Sequence, residues 1–268
     1  MTSTGAFSLV RTPLQNGPRR VTVASVEDVT PSYRRITLAG ELSGFQSLGA
    51  DDHLRIFFVP ADFEAPEPGA GPEAFAAMRA HPSREYTPAA WTEDSLTLDF
   101  VLHGASGSDG PATAWALRAA PGDVAMIGGP RGSLVLEGRP DWWLLAGDRT
   151  ALPAIRRFLG QVAAGTPVDV VLLAEDAADE QPLSSPGALS ARWVRSLDEL
   201  VAALAEVPAR EGDGFAFIAA EQSIVKPGRE YLQGRGVALD RAIVKGYWKL
   251  GEAEYHAPHG PAAGAQAG

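Results

Sequence analysis

At Gly138-Arg139-Pro140 the spacing of apolar residues changes period, and that change limits the chain to a β domain followed by an α/β domain. Before it, Leu96, Leu98, Phe100 and Leu102 alternate with Thr97, Asp99 and Val101, the period of two that puts successive side chains on opposite faces of a strand. Similar short runs at residues 21–26, 35–38, 54–59, 124–127 and 133–136, broken by Gly and Pro, predict an antiparallel barrel. One helix interrupts them: residues 112–119 follow Gly110-Pro111 and stop before the turn dipeptide Pro121-Gly122. Residues 63–81, rich in Pro, Gly, Ala and Glu, read as a surface excursion with a short helix at 73–79.

Beyond residue 140 the strands lose their alternation. Residues 142–146 and 168–174 are continuous apolar runs, as strands covered on both faces require. Helical segments at 150–164, 197–206 and near 227–233 alternate with strands at 192–194, 215–219 and 242–248, which predicts an open parallel-sheet α/β domain. The predicted division is an antiparallel β-barrel over 15–138, an α/β domain over 139–255, and a disordered tail over 256–268 made mostly of Ala, Gly and Pro. A length of 268 residues suits two cores better than one.

Composition removes several chemistries. A net charge of -10 gives a phosphate backbone nothing to condense on, so no nucleic-acid partner is expected. The absence of cysteine excludes disulfides, thiolate metal sites, cysteine nucleophiles and cysteine-held iron–sulfur clusters. His53, His81, His103, His256 and His259 show no ligand spacing, so no protein metal site is expected. No run approaches the roughly 18 apolar residues of a membrane span, and residues 1–20 lack a charged start followed by an apolar stretch, which predicts a cytoplasmic protein without membrane contact. If electrons move through this chain, an organic cofactor carries them.

Two local patterns carry chemistry. In an extended Arg84-Glu85-Tyr86-Thr87, Arg84 and Tyr86 point to one face, so a guanidinium can pair with a pyrophosphate while a phenol packs on a flat ring. Downstream, Gly110-Pro111-Ala112-Thr113 opens a helix, whose free N–H groups and positive end suit the same pyrophosphate; His103 can reach it or an adenine. Taken singly, each has an ordinary reading: an edge strand with a surface arginine, a common helix start, a solvated loop histidine.

In sequence order, Arg84-x-Tyr86-Thr87, Leu98-Asp99-Phe100-Val101-Leu102-His103-Gly104, Gly110-Pro111-Ala112-Thr113-x-Trp115, Pro121-Gly122-Asp123, Gly129-Pro130-Arg131-Gly132-Ser133, Leu145-Ala146-Gly147-Asp148, Thr150-Ala151-Leu152-Pro153-Ala154-Ile155 and Gly246-Tyr247-Trp248 resemble the siderophore-interacting protein family over residues 15–255. The resemblance implies a ferredoxin-reductase-like arrangement, with an FAD-binding barrel and an NAD(P)H-type domain. It also implies reduction of a ferric siderophore with release of Fe(II), electrons coming from NAD(P)H or a reduced ferredoxin. Under it Arg84, Tyr86, Thr87, His103, Gly110, Pro111, Ala112 and Thr113 hold FAD, with Thr87 near flavin N5. Arg55 and Lys249, and less directly Lys245 and Arg131, meet an anionic siderophore; Asp148, Arg149, Thr150, Glu221 and Trp248 line the nicotinamide side of a monomer.

Three departures from the family pattern stand out. Pro88-Ala89-Ala90 lacks a basic residue common there, Arg149 reverses a usual acidic charge close to the nicotinamide, and Ala219-Ala220-Glu221 is followed by Lys226-Pro227-Gly228, which delays a helix to near Pro227. They leave two other readings open: an enzyme of the same fold recruited to another substrate in specialised metabolism, with altered or lost nicotinamide use, and a flavin carrier without turnover.

Overall fold

The computed structural model describes residues 6–66, 72–102 and 110–252. The chain opens with β1 (Phe7–Pro13), then β2 (Arg19–Thr30), β3 (Tyr33–Gly40) and β4 (Leu54–Phe57), the short helix α1 (Pro72–Arg79), β5 (Ser83–Tyr86), β6 (Ala90–Trp91) and β7 (Ser95–Val101). Helix α2 (Pro111–Arg118), β8 (Val124–Gly128) and β9 (Gly132–Gly138) complete the first domain. Seven strands form one curled antiparallel sheet in the order β5-β4-β8-β2-β3-β7-β6. Its two edges, β5 and β6, are consecutive in sequence, so the sheet stays open at residues 87–89.

Alternation decides which face turns inward. Ile36 pairs with Leu98 and Leu38 with Leu96 across β3 and β7, and all four are fully buried. Helix α2 closes the interior, its Trp115 ring 5.6 Å from Phe100 and 5.2 Å from Phe58.

The second domain begins with β10 (Trp142–Asp148), followed by α3 (Leu152–Leu159), β11 (Pro167–Leu173), β12 (Ala188–Val194), α4 (Leu197–Glu206), β13 (Gly214–Glu221), α5 (Val225–Gly234) and β14 (Ala242–Trp248). All five strands are parallel, in the order β12-β11-β10-β13-β14. Strand β10 has no polar alternation because both of its faces are covered. Trp143 and Leu145 pack with Ile155 and Phe158 of α3, while Leu144 and Ala146 pack with Leu200 and Leu204 of α4 and Leu232 of α5.

Three details differ from the sequence expectations. Helix α3 ends at Leu159, not at residue 164: Gly160 caps it, and Val162 turns down into the core on the way to Gly165, whose φ of +75° favours glycine. Helix α5 starts before Pro227, at Val225, led in by a 3-10 turn over Gln222–Ile224; Pro227 falls in the first turn, where a missing N–H costs least. Finally, β1 lies ahead of the expected boundary at residue 15 and pairs along its whole length with β9.

That first strand straps the two domains together. Phe7 is 5% exposed in the core of the second domain, edge-on to Phe215 at 6.1 Å and beneath the Arg241 guanidinium at 5.1 Å, while the Ala6 N–H donates to Asp213 at 2.8 Å. Replacing Phe7 by Ala is expected to cost about 3–5 kcal/mol, as for other buried Phe truncations. Thermal unfolding followed by circular dichroism checks this; an unchanged midpoint would show that the strap is idle.

The domains also meet through charge. Arg157 of α3 donates to the Ser47 carbonyl at 2.9 Å and the Ser47 hydroxyl at 3.0 Å, and lies over the Trp91 ring at 4.9 Å. Asp179 accepts from the Thr30 hydroxyl at 2.7 Å and the Ser32 N–H at 3.0 Å, and pairs with Arg149 at 2.7 Å. Among the described residues, no helix is long and apolar enough to cross a membrane.

Candidate functional site

Arg84 and Tyr86 lie on an edge strand, opposite Ile56 and Leu54 of β4, and therefore share the inward face. The Tyr86 ring packs on Phe100, centroids 4.3 Å apart at 38°. Burial pushes its phenol well above the usual tyrosine range, against the pull of the nearby Arg84 charge. The Ser83 carbonyl accepts from Nη1 of Arg84 at 2.7 Å and so orients the guanidinium. Its Nη2 faces the start of α2: a methyl group on Gly110 would stand 3.9 Å from it.

The start of α2 suits an anion. Gly110 brings no side-chain cap, Pro111 has no N–H to satisfy, and no acidic residue occupies the first turn. The first intrahelical bond of this turn runs from Ala114 N–H to the Gly110 carbonyl at 3.1 Å, which leaves Ala112 and Thr113 to present their N–H groups at the helix end. Arg84 and α2, 26 residues apart in sequence, thus converge as two sources of positive potential with no carboxylate in the helix's first turn. These residues fit the diphosphate of FAD. Thr87, buried beside Tyr247, follows at the open edge of the barrel, and His103 falls outside the described residues.

A second half-site forms at the carboxyl ends of the parallel strands. The strand order reverses between β10 and β13, and such switch points open the crevice where α/β sheets bind nucleotides. Gly147 keeps the strands close there, since a Cβ would fall 2.2 Å from the Ala219 carbonyl oxygen. Asp148 ends β10 with Oδ1 accepting from the Thr150 N–H at 2.8 Å and from its hydroxyl, and Oδ2 accepting from Nε1 of Trp248 at 2.7 Å. Burial pushes the Asp148 carboxyl up; the bonds from Thr150 and Trp248 and the Arg149 charge oppose this without cancelling it. Glu221 ends β13, accepting from the Ser223 N–H at 2.6 Å and the Leu250 N–H at 3.2 Å. Burial opposes its ionisation, but these bonds win and hold the carboxyl below its usual range.

Asp148, Thr150 and Trp248 therefore come together as one cluster, with Glu221 at the end of the neighbouring strand. Arg149 does not join them. Its buried guanidinium turns into the domain seam, paired with Asp179 and bonded to the Ser32 hydroxyl, so the reversed charge is spent on holding the domains together. The other two departures are also local. Ala89 and Ala90 line a cleft of about 240 Å³ with Arg35, Asp99 and Arg156, and Pro227 sits in the first turn of α5.

The substrate-side cations are already engaged. Arg55 pairs with Glu85 at 2.7 Å and donates to the Ser83 hydroxyl at 3.1 Å, on the face of the β4–β5 pair opposite Arg84 and Tyr86. Lys249 pairs with Glu252 at 2.6 Å, Lys245 with Asp51, and Arg131 is exposed between β8 and β9. Sequence reasoning overlooked Asp51 and passed over Tyr247, although the latter stood inside the Gly246-Tyr247-Trp248 motif. Neither residue has a spacing signal, because their partners come from the other domain.

Comparison with known proteins agrees with the two-domain fold. Residues 22–134 match the siderophore-interacting FAD-binding domain, and residues 140–251 match the siderophore-interacting protein family. The chain is 31% identical over 239 residues to the NADPH-dependent ferric-chelate reductase of Escherichia coli, covering 86% of this chain and 92% of that one. It is 30% identical over 257 residues to the ferric vibriobactin reductase of Vibrio cholerae, covering 89% and 93%. Among solved structures, a siderophore utilization protein from T. fusca superposes with a TM-score of 0.76 at 29% identity, covering 92% of this chain and 97% of that one.

Proposed function

Because the chain belongs to the siderophore-interacting protein family, we propose that it is an FAD-dependent reductase that draws electrons from NAD(P)H and frees iron from ferric siderophores as Fe(II). The observation that carries this reading is the convergence of the Arg84 guanidinium on the uncapped start of α2, beside the ring of Tyr86.

In this reading Arg84 and the N–H groups of Ala112 and Thr113 bind the diphosphate, and Tyr86 and Thr87 flank the flavin ring. Bound FAD supplies the conversion between a hydride donor and a one-electron acceptor. The crevice at Asp148, Thr150, Glu221 and Trp248 receives the nicotinamide nucleotide, with Trp248 fixed by its bond to Asp148. Arg55 and Lys249, with Arg131, attract an anionic ferric siderophore, which must exchange places with Glu85 and Glu252. Iron held by a siderophore is loosened on reduction, so the protein needs no metal ligands of its own. A reduced ferredoxin as donor is the alternative, and the crevice at the strand switch point favours the nucleotide. We place the activity in the cytoplasm, in a monomer.

The three departures do not favour a recruited enzyme, since none of them supplies a hydrogen bond of the Asp148–Trp248 cluster and Arg149 acts on it by charge alone. Purified protein should be yellow, and with NADH or NADPH it should release Fe(II), trapped by a coloured ferrous chelator, from at least one member of a ferric-siderophore panel. Bleaching of the flavin without Fe(II) release from any siderophore would transfer support to the recruited enzyme, and a colourless protein that cannot be loaded with FAD would end the flavin reading.

A further inference from the structure

The loop ahead of β4 and the last strand of the second domain meet at one buried carboxylate. Asp51 is 8% exposed; its Oδ1 accepts from the Tyr247 hydroxyl and its Oδ2 from Nζ of Lys245. Lys245 and Tyr247 are two residues apart on β14 and so share a face, and Phe217 stands edge-on to the Tyr247 ring at 6.3 Å. The next residue, Trp248, reaches Asp148 in the crevice. Lys245, Tyr247 and Trp248 of β14 thus join a barrel loop to the nucleotide-side cluster.

Hydrogen-bond direction follows from charge. A carboxylate has no proton to give, so the Tyr247 proton goes to Asp51 and the phenol oxygen is left to accept. The Thr87 side chain lies beside it. Consistent with this direction, burial first and then Asp51 push the Tyr247 phenol far above the usual tyrosine range, while Thr87 acts to lower it. Thr87 closes the Arg84-Glu85-Tyr86-Thr87 run, so the phenol stands beside the flavin-holding segment and bonds to the barrel loop.

We propose that Asp51, Tyr247 and Lys245 form a latch that sets the separation of the flavin-holding and nucleotide-holding half-sites and so controls the donor half of the reaction. Asp51 and Tyr247 are positioning residues, acting through Thr87 and through the crevice at Trp248. The inference rests on the function proposed above. In the donor half the nicotinamide gives up a hydride and becomes NAD(P)+, and with one proton from water the cofactor ends as FADH2. In the acceptor half two Fe(III) ions take one electron each and two protons return to water. Only the first half transfers an atom across the domain seam, and a misplacement of about 1 Å in such a transfer can cost about 100-fold. Electron passage to iron forms no bond and tolerates a small shift.

The test compares Tyr247→Phe with the unmodified protein, since this change keeps the ring against Phe217 and removes one O–H. Bleaching of the flavin by NADH or NADPH in a stopped-flow instrument is expected to slow by about tenfold or more. Reoxidation of dithionite-reduced protein by a ferric siderophore should change by less than about threefold, as should the dissociation constant for FAD, because neither crosses the seam. In protein without cofactor, amide hydrogen exchange at residues 48–52 and 244–249 should accelerate. Bleaching within twofold of the unmodified rate, equal slowing of both halves, or unchanged exchange would each overturn the latch. If Tyr247→Phe does not fold, Asp51→Asn carries the same measurements. Failure of both nucleotides to bleach the unmodified protein would instead overturn the donor assignment, and the exchange data would still decide whether the latch holds the seam.

Discussion

Replacing Arg84 by Ala should make the protein lose its FAD. The guanidinium is aimed by the Ser83 carbonyl at the start of α2, where a bound diphosphate would receive charge-assisted hydrogen bonds. Bonds of that kind contribute about 1.5–3 kcal/mol each, so the dissociation constant should rise by roughly 10- to 150-fold. Titration of the apoprotein with FAD, followed by quenching of flavin fluorescence, measures the change. Arg84→Lys should fall between the two, because it keeps the charge and loses the planar fork that fits a phosphate. An Ala variant that binds FAD as tightly as the original would remove Arg84 from the site.

The second large effect belongs to the seam. Asp179→Ala would leave Arg149 buried against Ser32 with its carboxylate partner gone, while Glu175 stands 3.9 Å away and mostly in solvent. Breaking a buried pair from one side typically costs about 3–5 kcal/mol. For a chain of this size that lowers the unfolding midpoint by about 10 °C, readable by calorimetry. Replacing both partners with apolar residues, Arg149→Met with Asp179→Leu, should recover the part of the loss that comes from the stranded charge, while Thr30 and Ser32 still lack their acceptor.

The same carboxylate gives a pH signature. Burial opposes the ionisation of Asp179, but the bonds from Ser32 and Thr30 and the Arg149 charge outweigh it and hold the carboxyl below its usual range. A group whose folded value is depressed stabilises the native state above the unfolded value. That contribution is lost as pH falls from about 4 through the lower folded value. Acid unfolding of Asp179→Ala should therefore be shallower than that of the unmodified protein over this interval; identical acid limbs would contradict the assignment.

Much of the candidate site was legible from residue order. Alternation alone places Arg84 and Tyr86 on one face of a strand, and the Gly110-Pro111 helix start was visible as a break in the strand pattern. The strap formed by β1 was not, because Phe7 and Leu9 make too short an alternation before Arg11-Thr12-Pro13 to stand out as a strand. Its stability comes from pairing with β9 and from Phe215.

The sequence by itself determined the two-domain plan, the strand faces and the residue types proposed to meet a diphosphate, since these follow from local pleat, helix ends and the covering of strands on one face or two. Only the tertiary structure decided which charges serve the chemistry. Arg149 and Lys245 both read as available cations, yet each is spent between the domains, on Asp179 and Asp51, as is Arg157 on Ser47. Lone charged residues carry no periodicity, and whether a cation faces solvent, ligand or a distant carboxylate is set by chain segments that meet only after both domains have folded.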